Sequence, residues 1–143
     1  MKISIFIDEN REEEITVYAK KESPLLEQIK SLVTDYSSQI NGFKEKEIYL
    51  LNISDIYCFT VENNKVFAIT ENDKFLIKER LYNIEKDLSS DFIKINKSSI
   101  ANVKKIERFD ATFTGTLMIK FKNGYSDFVS RRSVKNVKER LGL

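Results

Sequence analysis

Two arginines at the start of a C-terminal amphipathic run are the residues of this chain best suited to chemistry with a partner. Arg131 and Arg132 follow Ser130, which reads as a helix N-cap, so both guanidinium groups fall on the first turn of a helix. A helix N-terminus carries about half a positive charge, so the pair opposes the helix dipole in the free protein and gains once an anion is bound. Phosphate attracted by the helix and by Arg together is one such arrangement, and Arg is also the usual reader of guanine in the major groove. The plainer alternative, arginines in water or over neighbouring carboxylates, weighs equally on these residues alone.

Two further polar segments share this character. Lys94, Asn96, Lys97, Ser98 and Ser99 lie between the apolar residues Phe92, Ile93 and Ile95 on one side and Ile100 and Val103 on the other. They predict a donor-rich turn without a carboxylate, and Asn, Lys and Ser reach phosphate and base edges alike. Taken alone, such a segment is usually a solvated turn. Asn63, Asn64 and Lys65 form the third segment, although asparagines in a turn need only backbone geometry to explain them.

Enzymatic readings fare badly. The chain has no His, so Ser-His-Asp and Cys-His machinery, imidazole metal ligands and His phosphotransfer are excluded. A single cysteine, Cys58, allows no intramolecular disulfide, CxxC redox pair or thiolate zinc cage. Neither a metal nor a cofactor is expected. The acidic pairs Glu13 with Glu14 and Asp87 with Asp91 have no base, nucleophile or glycine-rich phosphate loop near them in sequence and read as solvated faces. Cys58 alternates with Tyr57 and Phe59 in a strand and is expected to pack rather than react. Tyr49, Tyr57, Phe59 and Phe67 admit a base-stacking platform, but aromatics in strands are first of all core.

Charge is distributed unevenly. The formal net charge is only +2, yet residues 94–143 hold 12 Lys+Arg against 4 Asp+Glu, a net of +8, while residues 1–93 hold 12 against 18, a net of −6. A basic module behind an acidic front is the electrostatic footprint of nucleic-acid binding. The N-terminus turns acidic by Asp8, too early for a secretory signal, and no apolar run is long enough to span a bilayer, so a cytoplasmic protein that is not itself membrane-spanning is expected.

The elements that must carry these residues are set by periodicity. Alternation over residues 2–8 and 13–19 predicts two strands, and Ser23-Pro24 opens a helix whose apolar stripe is Leu25, Leu26, Ile29, Leu32, Val33, Tyr36 and Ile40. This β-β-α unit, residues 1–41, sits near the lower size limit for burying its own core, so it is expected to cover one end of the remaining chain or to pair two chains. A β-rich module, residues 42–143, is predicted from strands at 48–51, 56–61, 66–70, 75–78, 92–95, 103–109, 117–122 and 125–129. Asn123-Gly124 is a strong hairpin signal. Helices are predicted over 79–88 and 130–141, the second closed by Gly142. The class is mainly β with small helices (α+β).

The stretch from Phe43 to Leu143 resembles a LytTR-type DNA-binding domain, the output module of many bacterial response regulators. The resemblance is carried by four ordered blocks. The first is Asp55-Ile56-Tyr57-Cys58-Phe59, leading into Asn63-Asn64-Lys65, and the second is Leu81-Tyr82-Asn83-Ile84-Glu85-Lys86-Asp87-Leu88. The third runs Phe92-Ile93-Lys94-Ile95-Asn96-Lys97-Ser98-Ser99-Ile100-Ala101-Asn102. The last comprises Phe121-Lys122-Asn123-Gly124 and Val129-Ser130-Arg131-Arg132-Ser133-Val134-Lys135. The likeness implies an elongated stack of small β-sheets whose loops enter successive major grooves. By position it makes Lys65, Lys97 and Arg132 base readers, with Asn64, Asn96, Ser98, Ser130 and Arg131 beside phosphate. Lys94, Lys104, Lys105 and Lys135 add basic charge for further phosphate contacts. The chain departs from the common pattern at Lys97, where relatives often carry Arg, His or Asn, and at Thr60, where Glu is frequent.

A response regulator would carry a receiver of about 120 residues, and here only some forty residues precede the resembling stretch. The whole chain is similar to stand-alone LytTR proteins of low-GC Gram-positive bacteria, which act with a small multi-pass membrane protein that restrains them. The resemblance thus implies a regulator of transcription on double-stranded DNA, with paired half-sites if the chain is a homodimer. The rival expectation is a protein-interaction module, an anti-activator or a membrane-protein-docking regulator, that keeps the fold without strong DNA binding. Such a module has no need for a net of +8 over fifty residues with two arginines at a helix start.

Overall fold

A computed structural model describes residues 2–11, 14–36, 39–112 and 115–143. The front of the chain yields one element of regular structure, helix α1 (Pro24–Tyr36). Ser23 precedes Pro24 as expected, its hydroxyl and carbonyl accepting from the amide of Leu26 at 3.4 and 3.1 Å. The two N-terminal strands are not formed. Residues 2–8 and 14–19 flank a turn closed by the Arg11 amide on the Asp8 carbonyl, but neither joins a ladder among the described residues. Alternating sequence lowers the cost of a strand, yet a strand exists only where a partner satisfies its backbone groups. Glu13, Ser37 and Ser38 lie outside the described residues.

From Gln39 onward the chain is β-rich. Strands β1 (Gln39–Lys44), β2 (Glu47–Asn52), β3 (Cys58–Glu62), β4 (Lys65–Ile69) and β5 (Lys74–Ile77) precede helix α2 (Leu81–Asp87). Then come β6 (Phe92–Asn96), β7 (Ser99–Asn102), β8 (Ile106–Ala111), β9 (Leu117–Phe121), β10 (Ser126–Val129) and helix α3 (Arg131–Leu141). Strands β1 to β7 form one antiparallel sheet in the order β2-β1-β5-β4-β3-β7-β6, and β8 to β10 form a second in the order β10-β9-β8. The expected class, mainly β with three small helices, is the one observed.

Three boundaries differ from the sequence reading. Ile40, expected on the helix stripe, pairs with Leu51 in β1, so residues 39–41 belong to the large sheet and not to the front unit. Ser99, expected in the turn, opens β7 with Ile100 to Asn102, which the periodicity assigns to no element, and only Lys97 and Ser98 remain as the connection. Val103–Lys105 is a 3-10 turn, not the start of a strand. In each case a ladder or cap partner distant in sequence decides the state.

Around β3 the large sheet is buried on both faces, whereas its edge strand β2 is largely exposed. Cys58, Ile93, Ile95 and Ala101 point into a core closed by Ile119, Phe121 and Val129 of the small sheet and by Val137 of α3. On the opposite face Phe59, Val66, Ala68, Ile77 and Ile100 meet Leu81 and Ile84 of α2. Strand β3 therefore sends Cys58 one way and Phe59 the other, as period-two alternation requires. Tyr57 and Phe59 are both buried, which rules out a stacking platform built on them. Burial pushes the Cys58 thiol far above its ordinary range, the Asp127 carboxylate adding to the effect, so Cys58 stays a neutral packing residue.

Asn102, 2 % exposed, joins the strand ends at one pole of the sheet. Its amide donates to the Ile56 carbonyl at 2.9 Å and the Ser54 carbonyl at 3.4 Å, while its oxygen caps the 3-10 turn by accepting from Lys104 N at 3.1 Å. Asn102→Ala strands those buried groups and should cost about 2 kcal/mol. Urea unfolding measures this directly, and a loss under about 0.5 kcal/mol, within the range of neutral surface changes, would remove Asn102 from the account of the fold.

Candidate nucleic-acid interface

The three polar segments meet at the other pole of the sheet. Hairpin β3–β4 turns through Asn63 and Asn64 alone, with Glu62 opposite Lys65 and positive φ at both asparagines, 50° and 62°. This is the primed two-residue turn that matches strand twist, and Asn tolerates its left-handed backbone better than most side chains. The geometry therefore accounts for Asn64, and Lys65 stands exposed on the first residue of β4.

Hairpin β6–β7 brings Lys97 and Ser98 beside it. Thr60 of β3 lies opposite Ser99 of β7, and the Val61 amide donates to the Ser98 carbonyl at 2.8 Å, so the two hairpins end side by side. Lys97 is exposed and Ser98 half-buried. The third segment arrives from the small sheet, where β10 leads through Ser130 into α3. The Ser130 amide donates to the Ile95 carbonyl at 2.8 Å, clamping the start of α3 against β6. Arg131 and Arg132 are exposed on the first turn, and Lys135 is exposed one turn further on. Ser130 occupies the N-cap position, but its hydroxyl donates to Ser133 Oγ at 3.0 Å and caps no backbone amide.

Lys44, Lys74, Lys94, Lys104 and Arg108 are paired, with Asp73, Glu62, Glu85, Asp91 and the couple Glu107 and Asp110 respectively. Among the described residues no carboxylate stands within ion-pair distance of Lys65, Lys97, Arg131, Arg132 or Lys135. Two of the expected phosphate neighbours are otherwise engaged. Lys94 reaches Glu85 of α2 at 3.9 Å, away from the turns. Asn96 is 5 % exposed and donates to Asp127 Oδ1 at 3.1 Å and the Phe128 carbonyl at 2.9 Å, while its oxygen accepts from Ser98 N at 2.8 Å. Asn96 shapes the turn from within. Lys104 and Lys105 follow the far end of β7 and lie at the opposite pole.

Sequence reasoning missed Asp127. Its Oδ2 accepts from Ser99 Oγ at 2.6 Å and lies 3.5 Å from the Tyr125 hydroxyl, and its Oδ1 accepts from Asn96 and from the Phe128 amide at 2.8 Å. The signal was available: Asp127 is the single carboxylate between Asp110 and Glu139, in the most basic part of the chain. Burial raises the Tyr125 hydroxyl far above its ordinary range, with Cys58 and Asp127 contributing, so Tyr125 remains a neutral donor.

Comparison with known proteins agrees with this geometry. A family model described as the LytTr DNA-binding domain matches residues 46–142. Transcriptional regulators of the HTH type from Staphylococcus aureus strains NCTC 8325 and COL are each 38% identical over 146 residues, covering 100% of this chain and 99% of the relative. The LytTr DNA-binding domain of a methyl-accepting/DNA response regulator from Bacillus cereus superimposes with a TM-score of 0.70 at 20% identity, covering 74% of this chain and 98% of that domain. The relatives' helix-turn-helix label has no counterpart here, since strands separate α1, α2 and α3. With a family model spanning its β-rich part and relatives matching it end to end, the chain belongs to the LytTr DNA-binding domain family, a family of DNA-binding domains and not of enzymes.

Proposed function

We propose that this protein is a sequence-specific transcription regulator that reads duplex DNA with the turns at one pole of its sheet. One observation carries the reading: three cationic segments, from β3–β4, β6–β7 and the start of α3, are locked side by side by Val61–Ser98 and Ser130–Ile95 backbone bonds, and within the described residues Lys65, Lys97, Arg131 and Arg132 at their tips are not ion-paired. Unpaired cations on rigid supports suit a polyanion, because no internal bond must break before counterions are released. In this reading Lys65, Lys97 and Arg132 reach base edges. Asn64, Ser98, Ser130, Arg131 and Lys135 lie along phosphate, and Asn96 holds the turn between them. A regulator of this kind works in the cytoplasm.

The front of the chain supports self-association. Ile3, Ile5, Phe6, Ile7 and Tyr18 are each more than 80 % exposed, and Leu25, Leu32 and Val33 of α1 are also open to solvent. Ile15 and Val17 face Leu26, Ile29 and Val33 across a groove of about 460 Å³. Pairing through this surface gives a homodimer that fits two half-sites one or more helical turns apart.

Affinity for duplex DNA should fall with salt at a log–log slope near −0.9 per phosphate neutralised. Titration of a labelled duplex at several salt concentrations checks this. Alanine at Arg131 or Lys135 should lessen the slope by about one unit each, whereas alanine at Lys104 or Lys105 should leave it unchanged. Absence of binding to any duplex at low salt would end the DNA reading.

The two arginines should divide their labour. Arg132→Ala should cost about 1 to 3 kcal/mol on a duplex selected by the wild-type chain from a random pool, and much less on an unselected one. Arg131→Ala should weaken both by similar factors. Parallel losses for Arg132→Ala would show that it holds DNA without reading it.

Removing residues 1–36 leaves every strand in place. By light scattering the full chain should be a dimer and the truncated chain a monomer that binds one half-site weakly. The same number of chains per particle in both would refute dimerisation through the front and leave that surface for another protein, such as a multi-pass membrane partner.

A further inference from the structure

Resting on that reading, we infer that Asp127 is the positioning residue that phases the three DNA-facing segments, so that sequence discrimination depends on a carboxylate that touches no DNA. The proposal rests on the connectivity of a polar chain in which buried Thr60, Asn96 and Ser99 gather around the half-buried Asp127. Ser99 Oγ spends its proton on Asp127 Oδ2 at 2.6 Å, so the Thr60 hydroxyl, 3.0 Å away, is the donor to Ser99. Thr60 sits three residues before the Asn63–Asn64 turn. Asn96 donates to Asp127 Oδ1 and to the Phe128 carbonyl, and accepts from the Ser98 amide, which sets the Lys97–Ser98 turn. Asp127 itself stands on β10, four residues before Arg131. One carboxylate therefore links β3, the β6–β7 hairpin and the strand feeding α3.

The two sheets give this link its importance. Strands β3, β6 and β7 belong to the large sheet and β10 to the small one, so no ladder sets the height of Arg132 relative to Lys97 and Lys65, and the Ser130–Ile95 backbone bond ties α3 to β6 at one point, which fixes a distance but not a rotation. Apolar packing between the sheets resists separation but is weakly directional, whereas hydrogen bonds of 2.6 to 3.1 Å to two oxygens of one carboxylate fix both offset and rotation. Thr60, Asn96 and Ser99 are each at most 5 % exposed, so water does not readily replace a lost partner.

Asp127→Asn is nearly isosteric but replaces a charged double acceptor by one neutral acceptor and one donor, so the Ser99 hydroxyl must reverse toward Thr60 and the charge-assisted bonds to Ser99 and Asn96 are lost. Removal of a negative charge near the cationic turns would by itself tighten binding to every duplex. The proposal expects the opposite for the selected duplex: affinity at least tenfold weaker, affinity for an unselected duplex unchanged or tighter, and the thermal midpoint of the free chain close to wild type. In the Asp127→Asn background, Arg132→Ala should add less than threefold to the loss on the selected duplex. Unchanged discrimination, or a parallel rise on both duplexes, would overturn the proposal.

Hydrogen exchange on the free full-length protein tests the linkage without DNA. Asp127→Asn should speed exchange across residues 96–99 and 128–132 by about tenfold, with β4 and β5 unaffected. Failure of the wild-type chain to enrich any duplex would defeat the DNA reading alone, because the exchange experiment still decides whether Asp127 couples the segments. Wild-type exchange rates at both segments in the variant would overturn the coupling itself.

Discussion

Pairing of β3 with β4 on one side and β7 on the other is the constraint on which the rest of the molecule depends. It places β3 between the two cores, so every residue from Ile56 to Thr60 is buried, Tyr57 and Cys58 in one core and Ile56 and Phe59 in the other. A slip of one residue would exchange Cys58 with Phe59 and ruin both cores at once. That register also sets where the hairpins end. With Thr60 opposite Ser99 and Glu62 opposite Lys65, the Asn63–Asn64 and Lys97–Ser98 turns must emerge together.

Polar groups at this pole are buried under a different rule from the apolar ones. Thr60, Asn96 and Ser99 lie within the protein only because each finds a partner, and among the described residues no buried side-chain polar atom lacks one. The carboxylate of Asp127 concentrates these bonds. Its negative charge beside Lys97, Arg131 and Arg132 offsets part of their mutual repulsion through space without an ion pair that DNA would have to break. The cationic turns are thus held from beneath while their charged tips stay available.

The opposite end of the charge distribution has opposite mechanics. The front forty residues combine acidic loops with large apolar side chains that remain in water, and helix α1 shows its stripe to solvent. Residues 2–8 and 14–19 carry the alternation of strands without the partner that would make them strands. Edge strand β2 adds Ile48 and Leu50, 66% and 70% exposed. The proposed self-association would cover this exposed apolar surface, which lies outside the two main cores.

Much of this was legible in the residues. Strong periodicity located β2, β4, β5, β6, β9, β10 and all three helices nearly to their ends, because burial of one face or of a continuous run is written directly into the apolar pattern. The cationic segments around Lys65, Lys97 and Arg132 were likewise visible as clusters without carboxylates. What the sequence could not decide was everything resting on a distant partner. The expected strands of the front had no ladder to join, and β1 and β7 were hidden because Gln39 to Lys44 and Ser99 to Asn102 are strands only by pairing with β2, β5, β3 and β6. Lys94 and Asn96 looked like surface donors until Glu85, Asp127 and Phe128 were brought to them from elsewhere in the chain. Composition and spacing determined which residues could face DNA, but tertiary structure alone decided which of them are free to do so, since a hydrogen bond or ion pair depends on distance in space and not along the chain.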